Sequence, residues 1–329
     1  DDTMVKISEK VTNRVNKILG INNPPNGFNH QLRISVPQTR SRYTITEREF
    51  YKKILENLGK LLGRGTYSDV YIVKSVGIPT YVAKLFNNHP AKILVMRHEI
   101  NIVAKLHREG ESIHNMPKIK AILPMGAIVM QKAPGDELFN ILYVHKKKLT
   151  FGQKKAIIMG LIDHCLDCLN HGLVNLDLKM ENIMFNPTTC EMLVVDYGSL
   201  VHTDSFSSVD PRSFTPEYAP SQFFFSGSKA SQRAGVYIAA TIIWELLSGH
   251  LPYIEKCSKS RGWIEVKKSI CDQDINPEAD GLKVCLSQTS MSNNNIQNMV
   301  TALQQGLNPV ESNRPTFLDF SKAASLLSS

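Results

Sequence analysis

The sequence predicts an α+β fold, with a strand-rich first part and a larger helix-rich second part behind a helical extension. Three observations predict it. Residues 61–86 gather β-branched and aromatic side chains around glycine-containing turns, the pattern of successive antiparallel strands. Beyond Pro134-Gly135 the apolar residues take helical spacing, clearest over 154–170, 233–248 and 294–305. A hydrophobic content of 42% over 329 residues is enough for a substantial core. Strands first and helices afterwards is the α+β order.

In chain order, Val11, Val15, Ile18 and Leu19 keep one face apolar before Gly20, which predicts a first helix. A loop rich in proline and asparagine follows over 22–30. Thr46 and Glu49 then have capping-box spacing ahead of Phe50, Ile54 and Leu58, with Gly59 as the stop. That helix is expected to dock on the sheet that begins directly after it. Three strands over 61–86, a helix over 91–107, and strands at 119–123 and 127–131 complete the first part. No internal repeat is visible.

Composition narrows the function classes. The net charge is +8, but residues 1–60 hold 11 Lys or Arg against 6 Asp or Glu, so +5 of it precedes the motifs below. No aromatic residues interleave with the bases as a stacking platform for nucleic acid requires. Lys146-Lys147-Lys148 reads as a solvated helix end or loop. No apolar run reaches the roughly 18–20 residues of a membrane-spanning helix, and the Asp1-Asp2 start lacks a signal pattern. The chain starts without Met, so an upstream targeting segment would not be visible. Six irregularly spaced cysteines suggest reduced thiols in an intracellular, cytosolic setting. Cys165-x-x-Cys168 lies in the apolar stretch 157–169 and reads as packed core thiols, since no second pair completes a zinc site.

Chemistry is carried by a series of motifs. Leu62-Gly63-Arg64-Gly65-Thr66-Tyr67-Ser68-Asp69-Val70-Tyr71 places two glycines in a turn between strands, where backbone N–H groups can approach phosphates. Alone it is equally a structural hairpin. Val82-Ala83-Lys84 follows on a strand and His98-Glu99-Ile100 on a helix, a pairing that can hold a lysine against phosphate oxygens. Further on stand Asp177-Leu178-Lys179-Met180-Glu181-Asn182 and Val194-Val195-Asp196-Tyr197-Gly198, with a β-hairpin expected between them. Phe214-Thr215-Pro216-Glu217-Tyr218-Ala219-Pro220, Trp244 to Tyr253, and Asn313-Arg314-Pro315-Thr316-Phe317 complete the series.

In this order and spacing the motifs resemble the protein kinase family from about Leu61 to the C-terminus, and Lys179 with Thr215 resembles its Ser/Thr members. The resemblance implies a two-lobed kinase fold, with an N-lobe at 58–132 of antiparallel sheet and one main helix, and a larger helical C-lobe at 133–329. Residues 1–57 are then a helical extension that can engage a regulatory partner. The activity implied is γ-phosphoryl transfer from ATP, with Mg²⁺ or substituting Mn²⁺, to Ser or Thr hydroxyls of a protein substrate. Asp177 would be the base, assisted by Lys179, with Lys84 and Glu99 positioning phosphates and Asn182 and Asp196 holding metal. Gly63, Gly65 and Ser68 would cover the phosphates. Val70, Ala83 and Met184 would sandwich adenine, Met130 would be the gatekeeper, Gln131 to Ala133 the hinge, and Glu137 the ribose contact.

The pattern also departs from the family. Asn175-Leu176-Asp177 stands for His-Arg-Asp, which removes the arginine that receives an activation-loop phosphate. Phosphorylation of Thr203, Ser205, Ser207, Ser208 or Ser213 is therefore expected to be dispensable. Tyr197 replaces a Phe, Ser221 stands for a glutamate, and Gly235 for the aspartate at the start of the long C-lobe helix. Without that glutamate, Arg314 is expected to find another acid or more exposure. Such departures are compatible with a pathogen-encoded kinase delivered into a host cell. A pseudokinase scaffold, or a small-molecule kinase of related fold, remains as a rival reading.

Overall fold

The computed structural model describes residues 31–32, 45–65, 67–74, 80–86, 93–123, 126–203 and 214–325. The expected helix at 11–19, the loop at 22–30, and Ser205, Ser207, Ser208 and Ser213 lie outside them. The chain divides into two compact units, Asp1–Ser112 with Pro117–Lys132, and Ile113–Met116 with Ala133–Ser329.

In the first unit, β1 (Gln31–Leu32) pairs antiparallel with β2 (Ile45–Thr46), which leads into helix α1 (Glu47–Glu56). The helix ends before Leu58 and Gly59, earlier than their apolar spacing suggested. Asn57 closes it, its side-chain amide donating to the Lys53 carbonyl at 2.7 Å, and Leu58 already pairs with Val73 as a strand residue. Five strands follow: β3 (Leu58–Arg64), β4 (Ser68–Val73), β5 (Tyr81–Phe86), β6 (Ile119–Leu123) and β7 (Ala127–Gln131). They form one antiparallel sheet in the order β3-β4-β5-β7-β6. Ile54 of α1 packs on it among Ala83, Ala121, Ala127 and Val129. The three alanines leave room for a branched side chain, and burying that isoleucine contributes about 1.5–3 kcal/mol. Helix α2 (Ile93–Glu109) turns Glu99, Ile100, Ile102, Val103 and Leu106 inward, a helical stripe that includes one acid.

The second unit runs through β8 (Asp136–Glu137), α3 (Phe151–Asn170), β9 (Leu173–Asn175), β10 (Ile183–Phe185), β11 (Met192–Val194) and β12 (Leu200–His202). It continues with α4 (Gln232–Ser248), α5 (Trp263–Ile270), α6 (Asp280–Ser287), α7 (Asn293–Gly306) and α8 (Phe317–Ala324). Sheet β11-β10-β8 and the pair β12-β9 are antiparallel. Gly135 lets the chain enter β8: its φ is +68°, and a Cβ there would stand 1.9 Å from the Phe185 carbonyl oxygen. Helix α3 begins earlier than the apolar pattern shows because Thr150 and Gln153 form a capping box. Helix α4 is capped by Ser231, ends at Gly249 with φ +81°, and buries every residue from Ala234 to Leu247. An all-buried helix is the core around which the others pack. No helix among the described residues is long and apolar enough to cross a membrane.

Candidate active site

The first unit contains a buried ion pair. Lys84, on the central strand β5, reaches Glu99 of α2 with Nζ 2.7 and 2.9 Å from the two carboxylate oxygens. The side chains are 12% and 3% exposed, and the Phe86 ring lies 5.4 Å from the ammonium. Two oxygens on one ammonium fix its direction as a single surface contact would not. Gly63 and Gly65 are exposed at the β3–β4 turn, where the Gly65 N–H donates to the Ser68 carbonyl at 2.8 Å. Val70 is half-buried on β4, Ala83 is buried on β5, and Met130 is buried beside half-buried Gln131 on β7.

The second unit contains a cluster of carboxylates. Strand β9 pairs with β12 through Asn175 and Leu200, so the loop carrying Asp177 lies against the segment that follows Asp196. The Thr215 hydroxyl donates to Asp177 Oδ1 at 2.8 Å, and Lys179 Nζ lies 3.1 Å from Oδ2. Lys179 also donates to Thr215 Oγ1 at 3.3 Å, closing a three-residue ring. Burial pushes the Asp177 carboxyl above its ordinary value, with Asp196 adding to the rise, while Lys179 and Thr215 pull it back. The Asn182 amide donates to the Asp177 carbonyl at 2.9 Å, so its nitrogen is committed and its oxygen is the atom that can meet a cation. Hairpin β10–β11 pairs Ile183 with Val194, and the Val195 N–H donates to the Asn182 carbonyl at 2.8 Å. Asp196 is thereby held near Asn182.

Asp196 adopts φ +82°, unusual for a residue other than glycine. Its carboxylate offsets this by accepting the Gly198 N–H and the Ser199 hydroxyl, both at 3.1 Å. Among the described residues no three His, Cys, Asp or Glu converge as a metal cage. One carboxylate and one amide oxygen instead fit Mg²⁺, which completes its shell with water and substrate phosphates. Ala133 and Glu137 lie on the segment through β8, and Glu137 pairs with half-buried Met184 of β10. Burial, then Asp136 and Glu181, hold the Glu137 carboxyl above its usual range.

Supporting residues explain how the departures are accommodated. The Asn175 side-chain oxygen accepts the Asp177 N–H at 3.2 Å, and its amide lies 3.3 Å from His164 Nε2. His164 Nδ1 lies 3.3 Å from the His114 carbonyl. A carbonyl only accepts, so Nδ1 carries the hydrogen and Nε2 receives the Asn175 amide. Burial pushes fully buried His164 down to about 4. Its folded value is thus depressed, and between the ordinary 6.5 and about 4 only the unfolded chain takes up the proton. Stability therefore falls as pH drops through that window, by about 3 kcal/mol for this group. The stability gap between wild type and His164→Gln should shrink by that amount from pH 7 to pH 4 in urea unfolding. A constant gap would show ordinary titration.

Gly235 stands where a Cβ would lie 2.7 Å from Val174 Cγ2. The valine occupies the space that any side chain at 235 would need, so helix α4 and strand β9 approach closely there. Gly235→Ala should destabilise by about 1–3 kcal/mol in thermal unfolding, and adding Val174→Ala should recover part of that loss. Independent effects that simply add would contradict this account.

Among the described residues Arg314 forms no ion pair, and it is not more exposed. It is 1% exposed and donates to the carbonyls of Asn308 (2.6 Å), Pro309 (2.9 Å) and Arg233 (3.4 Å) and to Gln222 Oε1 (2.8 Å). The Tyr237 ring lies 4.9 Å from its guanidinium carbon. Carbonyl dipoles and a ring face replace the carboxylate, and burial lowers its pKa to about 10.

Cys165 and Cys168 are free and buried on α3. Burial pushes Cys165 up to about 12 and Cys168 well above its usual value, so neither is a thiolate at neutral pH. Sequence patterns did not single out His164 or the ring that Thr215 makes with Asp177. Thr215 was read in its motif and as a mark of Ser/Thr members, not as a partner of Asp177.

A family model for the protein kinase domain matches residues 57–325. CBL-interacting serine/threonine-protein kinase 13 of Arabidopsis thaliana is 25% identical over 209 residues, 60% of this chain and 40% of that protein. Serine/threonine-protein kinase pkn3 of Myxococcus xanthus is 27% identical over 216 residues, 59% of this chain and 37% of that protein. SNF1-related protein kinase catalytic subunit alpha KIN12 of Arabidopsis thaliana is 26% identical over 201 residues, with shares of 60% and 40%. The chain spans about two-fifths of the length of these curated relatives. With residues 57–325 matched, it belongs to the protein kinase family and is similar to the eukaryotic-type Ser/Thr members.

Proposed function

We propose that the protein transfers the γ-phosphate of ATP to Ser or Thr hydroxyls of protein substrates. The observation that carries this reading is the ring of Asp177, Lys179 and Thr215, with the oxygens of Asn182 and Asp196 held near it by the β10–β11 hairpin. Asp177 accepts and orients the acceptor hydroxyl, and Lys179 stabilises charge on the transferring group. Lys84, aimed by Glu99, binds phosphate oxygens, while the turn that carries Gly63, Gly65 and Ser68 covers them. Val70, Ala83 and Met184 contact the faces of adenine, Met130 bounds it, Gln131 to Ala133 meet its edge, and Glu137 meets the ribose. Asn182 and Asp196 ligate Mg²⁺ or Mn²⁺, which neutralises phosphate charge when bound. On this reading the lobes are 58–132 and 133–329, and residues 1–57 receive a regulatory partner inside the cell.

Radiolabel transfer from Mg·ATP to dephosphorylated casein, beside Mg·ATP binding by thermal shift, tests the activity. Transfer to Ser or Thr supports it. Binding without transfer to casein or to the chain itself favours a scaffold, and transfer only to a small molecule overturns the protein-substrate reading.

The same reading includes independence from activation-loop phosphorylation. Leu176 is buried, with its N–H donating to the Ser199 carbonyl at 3.0 Å, so an apolar core side chain stands where a phosphate-binding cation would be needed. Alanine at Thr203, Ser205, Ser207, Ser208 or Ser213 should leave kcat within about twofold, since Leu176 can offer a phosphate no charge-assisted contact. Loss of turnover restored by an acidic substitute would contradict it.

A further inference from the structure

Lys267 of α5 is fully buried. Its Nζ lies 2.6 Å from the Ala219 carbonyl, 3.3 Å from the Glu217 carbonyl and 2.7 Å from the Tyr237 hydroxyl. Three acceptors match the three protons of an ammonium. The Tyr237 and Trp263 rings add faces at 4.6 and 5.8 Å. No carboxylate forms an ion pair with Lys267 among the described residues; burial, then the neighbouring Arg314, push its pKa well below the usual lysine value, against the pull of Glu217. A methionine would fill this space without desolvating a charge. What the amine nitrogen supplies is direction: two of its bonds grip one turn.

That turn leads to the candidate site. The Tyr218 and Ala219 N–H groups donate to the Thr215 carbonyl at 3.1 and 3.0 Å, so residues 215–219 move together. At the other end, the Thr215 hydroxyl donates to Asp177. Ser221, where the family resemblance expects an anchoring glutamate, is buried, and its hydroxyl has no partner among the described residues. The turn is fastened by two of its own carbonyls on Lys267 and by the Tyr218 hydroxyl, which donates to Glu245 of α4 at 2.7 Å.

We propose that Lys267 is a positioning residue for the acceptor substrate, holding the 215–219 turn so that Thr215 stays on Asp177. It takes over the anchoring that Ser221 cannot provide, and its effect on turnover rests on the kinase reading above. The test uses Lys267→Met in the full chain, with two readouts. Hydrogen exchange of the Tyr218 and Ala219 amides should accelerate by about tenfold, while α4 keeps its protection. KM for dephosphorylated casein should rise by about fivefold or more, with KM for ATP unchanged, because only acceptor-side binding is lost.

Unchanged exchange at the turn overturns the proposal, as does exchange that rises throughout the second unit or a KM for ATP that rises equally. If the wild type transfers no phosphate, the kinase reading fails, and the exchange experiment alone decides whether Lys267 holds the turn. If Lys267→Met does not fold, Tyr237→Phe removes one of the three acceptors. It should speed exchange at Tyr218 and Ala219 by about threefold, a partial loosening of the same contact, and no change there overturns the proposal.

Discussion

Asp177→Asn should lower kcat for phosphoryl transfer by about 10²–10⁴-fold, the usual contribution of a positioned base, with KM for ATP held within about twofold. The amide keeps the volume of the carboxyl and can still accept from Thr215, which the wild-type geometry places 2.8 Å from Oδ1. It loses the basic oxygen and the charge that faces Lys179 at 3.1 Å. The pH profile offers a second handle. Burial raises the Asp177 carboxyl above 3.8, and a base at this position would work only when ionised, so turnover should fall as pH drops through that raised value. Thr215→Val removes one stabilising hydrogen bond and should move the acidic limb further upward. Steady-state assays across pH decide both points, and an Asp177→Asn enzyme of near wild-type kcat would remove Asp177 from the chemistry.

Lys84→Met should cost about 3–5 kcal/mol of stability as well as activity. The side chain of Glu99 is 3% exposed, and removing its cation leaves a buried carboxylate without the charge that matches it. Tm should drop on the order of 10 °C for a unit of this size. Glu99→Gln should cost less, because an amide tolerates burial better than a charge. The double variant Lys84→Met/Glu99→Leu should recover most of the stability and none of the phosphate binding proposed for Lys84. Calorimetry with a double-mutant cycle measures the coupling, and additive losses would show that the two side chains do not act as a pair.

The strands and helices that carry these groups were legible because local patterns encode them. Glycine turns, β-branched runs and helical apolar spacing act over a few residues, and β6 and β7 fall at 119–123 and 127–131 as read. Helix ends were less legible. Leu58 continues the apolar spacing of α1, but pairing with Val73 places it in the sheet. Contacts between distant residues left no local trace. Thr215 meets Asp177 across 38 residues and Lys267 meets Ala219 across 48, and neither separation has a periodicity to betray it. Arg314 shows the reverse case: the sequence exposed a missing acid, and only the fold shows that carbonyls and the Tyr237 ring surround the guanidinium instead.

The contact between Val174 and position 235 makes the two sites an epistatic pair. Restoring an aspartate at 235 by a single substitution would drive its Cβ into the valine before the carboxylate could form any bond. The route back to that aspartate therefore begins at position 174, with a smaller side chain that leaves a cavity until its neighbour grows to fill it. A mutational scan that varies residue 235 alone would score it as glycine-only, whereas a paired library would show a trade of volume between helix α4 and strand β9.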